Sequence, residues 1–177
     1  MIVFKVSNLQ KLNITLNENI LSHCQKKYKG EMLTESIFAY QTLALLHKEK
    51  TGKELPEITF LDDGKPTCKD ISISLSHSSG VVAVGFSTDK GVDIGVDIEL
   101  IKAKKPQAVK LLGLDKDCTD TEFYLAWTKK ETLKKACNKS LLSAGIGDFV
   151  GESKVINLNG KDYAVSVYSK ESYESNF

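Results

Sequence analysis

Gly91-Val92-Asp93-Ile94-Gly95-Val96-Asp97-Ile98-Glu99-Leu100 alternates strictly: every even position is apolar, and Asp93, Gly95, Asp97 and Glu99 fill the odd ones. Successive side chains on a strand point to opposite faces, so the pattern predicts a half-buried β-strand. Its polar face sets Asp97 and Glu99 side by side. Two carboxylates held that close repel each other unless a cation lies between them or one is protonated. A hard divalent ion such as Mg²⁺ suits oxygen ligands of this kind.

Upstream of this strand, residues 2–6 read as a short strand and 18–29 as a weak helix. A stronger helix is predicted from Thr34 to Lys50, with Thr34-Glu35-Ser36 at its start and Gly52 past its end. A strand at 57–61 leads into the turn Asp62-Asp63-Gly64-Lys65-Pro66. Ile71, Ile73 and Leu75 alternate with serines, and Ser78-Ser79-Gly80 turns the chain into a partner strand at 81–87. Downstream, 104–112 reads as a short helix. Thr119-Asp120-Thr121-Glu122 is a capping box that opens a helix to about Cys137. Strands at 153–158 and 162–169 flank Asn159-Gly160, a strong hairpin signal. The polar tail from Lys170 to Phe177 is expected to fray. Each half thus offers helices and a β-hairpin. The expected fold class is α+β, with two similar halves, 1–90 and 91–177, packed together as an intramolecular pair.

The chain has 177 residues, 41% of them hydrophobic and 27% charged, the profile of a soluble globular protein. Its net charge of +1 gives no global electrostatic case for nucleic acid or an anionic membrane. All 24 basic residues are lysine, so any bound phosphate is met without guanidinium forks. Cys24, Cys68, Cys118 and Cys137 have no zinc-type spacing and read as reduced thiols. No signal peptide or membrane-length apolar run is visible, so a cytoplasmic protein is expected.

Three further stretches carry chemistry-bearing residues. In Ser74-Leu75-Ser76-His77-Ser78, a histidine between hydroxyls at a strand end suits phosphate binding or a plain turn cap. Gly64-Lys65-Pro66 is a turn bearing a lysine. On a helix, Trp127, Glu131 and Lys135 fall on one stripe, which fits either a site or a buried tryptophan followed by an exposed Glu–Lys pair. Replacing Glu131 or Lys135 is expected to leave folding nearly unchanged, and removing a buried Trp127 to cost about 3–5 kcal/mol.

In this order the stretches resemble the 4′-phosphopantetheinyl transferases, in particular the surfactin-type branch. The resemblance runs over residues 64–141 and rests on Gly64-Lys65-Pro66, Ile73-Ser74-Leu75-Ser76-His77-Ser78, Gly95-Val96-Asp97-Ile98-Glu99 and Trp127-Thr128-Lys129-Lys130-Glu131 with Lys135 and Ala136. It implies a pseudo-dimeric α+β fold, with coenzyme A as co-substrate between the halves. It also implies transfer of phosphopantetheine to a serine of an acyl or peptidyl carrier protein, releasing adenosine 3′,5′-bisphosphate. By the same resemblance, Asp97, Glu99 and Glu131 match the family's metal-binding acids, for Mg²⁺ with Mn²⁺ as an alternative. Lys135 matches the lysine near the transferred phosphate, and His77, with Ser76 beside it, the histidine at the coenzyme's 3′-phosphate. Lys65 falls near the nucleotide end. The catalytic pair so implied is Glu131 and Lys135, and the proton acceptor is Glu131 or a metal-bound water. One chain supplying both halves implies a monomer. The chain departs from the family in having Asn138-Lys139-Ser140-Leu141 where Gly-Lys-Gly-Leu is usual, in a short 100–118 segment, and in lacking the N-terminal arginines, for which Lys26, Lys27 and Lys29 stand as substitutes. The rival readings are a non-catalytic coenzyme A or carrier-binding module and a Mg²⁺-dependent phosphoesterase.

Overall fold

The computed structural model describes residues 1–137 and 149–169, together with the backbone of 174–176. The stretch Asn138-Lys139-Ser140-Leu141 and the rest of the tail lie outside the described residues. The chain is mixed α+β, in the order β1 (Ile2–Asn8), α1 (Glu18–Lys27), α2 (Gly30–Thr51), β2 (Ile58–Phe60), β3 (Pro66–Cys68), β4 (Ser72–Ser78), β5 (Val81–Ser87), β6 (Ile94–Leu100), α3 (Pro106–Leu112), α4 (Asp120–Cys137), β7 (Gly151–Leu158), β8 (Lys161–Ser169) and β9 (Glu174–Asn176).

Two sheets form the body. One has the order β4-β5-β1-β9 and the other β6-β8-β7, while β2 and β3 pair as a small ribbon. In each large sheet the second strand of a hairpin is central and pairs antiparallel with a strand from earlier in the chain: β5 with β1, and β8 with β6. Both hairpin turns place two residues at positive φ, Ser79 and Gly80 at 49° and 83°, Asn159 and Gly160 at 54° and 73°. That backbone matches the twist of the flanking strands, which is why Asn-Gly marks such turns.

Alternation then assigns the faces. Val3, Val82, Val84 and Phe86 pack on α1 and α2, around Phe38, Leu43 and Leu46. Ile2, Phe4, Val81 and Ala83 meet Ile94, Val96, Ile98, Val165 and Val167 of the other sheet. Ala164, on the far face of β8, packs with Phe123, Tyr124 and Ala126 of α4. The layers therefore run helices, sheet, sheet, helix.

Four expectations are corrected. β6 is buried on both faces, not one: Ile98 is fully buried and Asp97 is 3% exposed, because α4 covers the face that carries Gly95 and Asp97. α2 begins at Gly30, four residues before Thr34, whose hydroxyl bonds back to the Gly30 carbonyl instead of capping the helix. The tail is not wholly frayed, since 174–176 pairs in parallel with β1, supplying partners to what is otherwise an open edge. Trp127 is half-buried, its ring stacked on Phe123 at 6.1 Å; its removal is expected to cost less than a fully buried tryptophan would.

The capping box forms as read. The Thr119 hydroxyl accepts from Glu122 N–H at 3.2 Å, and Glu122 Oε2 accepts from Thr119 N–H at 2.7 Å. Thr119→Ala is expected to cost about 1 kcal/mol, read as a lower urea midpoint at unchanged slope. No helix among the described residues is long and apolar enough to cross a membrane.

Candidate functional site

β4 and β6 lie side by side and run in the same direction, yet side-chain hydroxyls bridge them. Ser74 Oγ accepts from Val96 N–H at 3.0 Å, and Ser78 Oγ accepts from Leu100 N–H at 3.1 Å. In return the Ser76 hydroxyl donates to Asp97 Oδ1 at 2.8 Å, and the Ser78 hydroxyl to Glu99 Oε2 at 3.0 Å. The period of two puts Ser74, Ser76 and Ser78 on one face of β4. Short hydroxyl side chains, each both donor and acceptor, suit a seam where backbone amides and carboxylates meet.

The opposite charge comes from α4. Lys135 Nζ donates to Asp97 Oδ1 at 2.7 Å, to the Val96 carbonyl at 3.1 Å and to the Leu75 carbonyl at 3.2 Å. Its three protons are thus committed, one to the acid and one to each of the two strands. The exposed Glu131–Lys135 pair of the simpler sequence reading does not form. Glu131 pairs with Lys134 at 3.4 Å instead, which frees Lys135 to turn inward. Helix and strand come close enough because residue 95 is glycine: a Cβ there would stand 2.2 Å from the Thr132 carbonyl oxygen.

Asp97 and Glu99 are neighbours on one strand face, as read. Burial, and next the Asp97 charge, push the Glu99 carboxyl above its usual range. A group that is harder to ionise when folded costs stability as pH rises through its raised value, and costs nothing once both states are protonated. Glu99→Gln is therefore expected to melt higher than the parent at neutral pH, with the gap closing toward pH 4. A constant gap across that range would count against the mechanism.

Glu131 is not gathered with these two: among the described residues no group of three or more His, Cys, Asp or Glu side chains is arranged to hold a metal. The donor chemistry nonetheless suits a hard cation at the Asp97 end. Asp97 Oδ2 is buried and has no hydrogen-bond partner among the described residues, and Glu99 adds further carboxylate oxygen beside it.

Next to this seam a cavity of about 370 Å³ opens between α1, α2, β4 and α4, within the range of small-molecule pockets, roughly 300–1,000 Å³. It brings Lys65, Ser76, His77, Glu131 and Lys135 to one wall system, with Lys27, one of the three lysines named as arginine substitutes. Sequence reading missed His23, which lines the same cavity and stacks on Phe60 at 3.6 Å. Burial, then the Lys27 and Lys26 charges, pull its imidazole below the usual histidine range. It also missed Glu35, which is 7% exposed and whose Oε2 meets His77 Nδ1 at 2.9 Å. Nothing in a helical Thr-Glu-Ser announces a buried carboxylate; the one available signal was a charge on the apolar side of α2. No protein-family model matches the chain, and comparison with curated proteins returns no match.

Proposed function

We propose that this chain is a Mg²⁺-dependent 4′-phosphopantetheinyl transferase that moves the phosphopantetheine of coenzyme A onto a carrier-protein serine. The observation that carries this reading is the cavity itself. Lys65 from a loop, Ser76 and His77 from β4, and Glu131 and Lys135 from α4 reach one space beside the Asp97–Glu99 pair. A lysine- and histidine-rich wall with no arginine suits the phosphates of a nucleotide-like ligand. The repeated strand order, β4-β5-β1 and β7-β8-β6, each with a long helix on its outer face, supports two related halves, 1–90 and 91–177, in a pseudo-dimer.

In this reading the serine oxygen attacks the pantetheine-side phosphorus of the pyrophosphate, the phosphoanhydride bond breaks, and adenosine 3′,5′-bisphosphate leaves. Catalysis is then positioning and charge neutralisation. Asp97 and Glu99 would hold the cation, whose chemistry is to neutralise phosphate oxygens. Lys135 sets a fixed positive charge beside Asp97, which acts on the transferring phosphate through its field, its three protons being held by the protein. Glu131 lines the cavity, and it or a metal-bound water would take the serine proton. Lys65 and Lys27 meet the nucleotide end, and His77 the 3′-phosphate. Lysine contacts of this kind weaken with salt, so coenzyme A affinity is expected to fall as ionic strength rises.

The test is intact-mass measurement of an apo-carrier panel incubated with coenzyme A, Mg²⁺ and the protein. A phosphopantetheine mass gain with equimolar adenosine bisphosphate supports transfer. A second reading, a coenzyme A or carrier-binding module, is favoured by one observation: all three protons of Lys135 are already committed to Asp97 and two strand carbonyls. Tight coenzyme A binding without any mass gain across the panel would favour it. Bisphosphate release without a carrier would instead indicate a phosphoesterase.

A further inference from the structure

β4 divides its side chains between two environments. Ser76 and Ser78 face the acids of β6, while His77, on the opposite face, meets Glu35 of α2. Glu35 is buried, and both of its oxygens are used. Oε1 accepts from Gly80 N–H at 2.5 Å and Oε2 meets His77 Nδ1 at 2.9 Å. An ionised carboxylate only accepts, so the proton of that second bond belongs to Nδ1. Nε2 is then the ring nitrogen left for the cavity that His77 lines. The ring is braced by the edge of Tyr28, with centroids 5.6 Å apart, and the turn beneath it by Tyr163 Oη donating to the Ser79 carbonyl at 2.9 Å.

We infer that Glu35 is a positioning residue that fixes the tautomer and orientation of His77, and supplies the counter-charge when His77 grips an anionic phosphate. The inference rests on the coenzyme A reading for its ligand, but not for the state of the ring. Nε2 donates to a phosphate oxygen only when it carries a proton. With Nδ1–H already held by Glu35, the donating ring is an imidazolium, and the carboxylate behind it offsets that charge. The other titratable groups near the ring are Tyr28, against its edge, and His23, Lys27, Tyr40, Asp63, Lys65, Glu131, Lys134 and Lys135, which line the same cavity, while Tyr163 holds the Ser79 carbonyl of the turn.

Glu35→Gln separates shape from charge. Glutamine has one acceptor and one donor end. Gly80 N–H claims the oxygen, so the NH₂ faces Nδ1 and drives the proton to Nε2. Nitrogen-15 NMR of histidine-labelled protein, above the titration range of the rings, reads the tautomer directly, with the signals of the three histidines assigned through His23→Gln and His77→Gln. The parent is expected to show Nδ1–H at His77, E35Q to show Nε2–H, and Glu35→Asp to keep the parent form. Calorimetry with adenosine 3′,5′-bisphosphate, without carrier, is expected to show at least about tenfold weaker binding to E35Q, the loss of one charge-assisted contact. An Nε2–H parent, an unchanged tautomer in E35Q, or a reversed tautomer with undiminished affinity overturns the inference. If E35Q fails to fold, the parent tautomer and the Asp variant decide. A reversed tautomer in E35Q while neither protein binds the bisphosphate leaves Glu35's hold on the ring standing and removes the coenzyme A reading.

Discussion

Lys135→Ala is expected to lower carrier modification by about a hundredfold or more and, in the same variant, to cost about 3 kcal/mol of stability. On the proposed transferase reading, the first effect is that of removing a fixed charge beside the transferring phosphate. The second follows from what Lys135 leaves behind. Asp97 is 3% exposed, and its Oδ2 already has no hydrogen-bond partner among the described residues. Removing one member of a buried ion pair strands the other charge. Lys135 also ties the Leu75 and Val96 carbonyls of two strands to α4. This corrects the sequence-based expectation that both helix residues leave folding untouched, which holds only for Glu131, paired with an exposed lysine one turn away. Glu131→Gln is therefore expected to lose modification on a similar scale while melting close to the parent. Thermal melts and intact-mass rates on both variants check the contrast. Adding Asp97→Asn to Lys135→Ala is expected to recover much of the stability and none of the activity. A Lys135→Ala protein with near-parent modification would leave the enzyme reading without its centre.

Gly95→Ala is expected to be among the most destabilising single-methyl changes in the chain. The new Cβ would lie 2.2 Å from the Thr132 carbonyl oxygen and 3.1 Å from its carbonyl carbon. These are backbone atoms inside a helix, so no rotamer change relieves the overlap. The whole of α4 must shift, and Thr132 is itself tied to β8, its hydroxyl donating to the Ser166 carbonyl at 3.2 Å. Overpacking typically costs about 1–3 kcal/mol and occasionally more; backbone against backbone belongs at the upper end. Because Lys135 rides on the same helix, any folded G95A protein is expected to lose modification as well. Denaturant melts with intact-mass rates of carrier modification measure both. A G95A midpoint equal to the parent's would mean the helix has slack, contrary to its packing.

Elements were legible in the sequence where the local code is strong. The capping box at Thr119 and the Asn159-Gly160 turn act over a few residues, and both form as read. β3 and β9 escaped because three residues are too short for periodicity to speak; β3 pairs with the adjacent β2 across a turn, and β9 with β1 at the far end of the sequence. The double burial of β6 escaped because Gly95 and Asp97 read as a polar face, when they mark a helix's close approach and a buried ion pair. At the site, the motif residues Lys65, Ser76, His77, Glu131 and Lys135 line one cavity, and Asp97 and Glu99 sit together beside it. What the motifs left out is the support around them: Glu35 behind His77, the serines across the seam, His23 stacked on Phe60. Such residues have no spacing of their own. They are defined by what folding brings next to them.

The serine seam gives the molecule a built-in gauge. Along the edge of β6 that faces β4, the Val96 and Leu100 amide protons rest on hydroxyl oxygens, not on a neighbouring strand's carbonyls. These bonds are lost when β4 draws away from β6, without the backbone ladder of either sheet having to unzip. Deuterium uptake at these two amides therefore times the parting of β4 from β6, separately from the fraying of either sheet. Amides within the β6–β8 ladder supply the slow reference in the same protein. A ligand that bridges the two strands would slow the first pair and leave the second unchanged, so one exchange experiment distinguishes a molecule that clamps the seam from one that merely stabilises the fold.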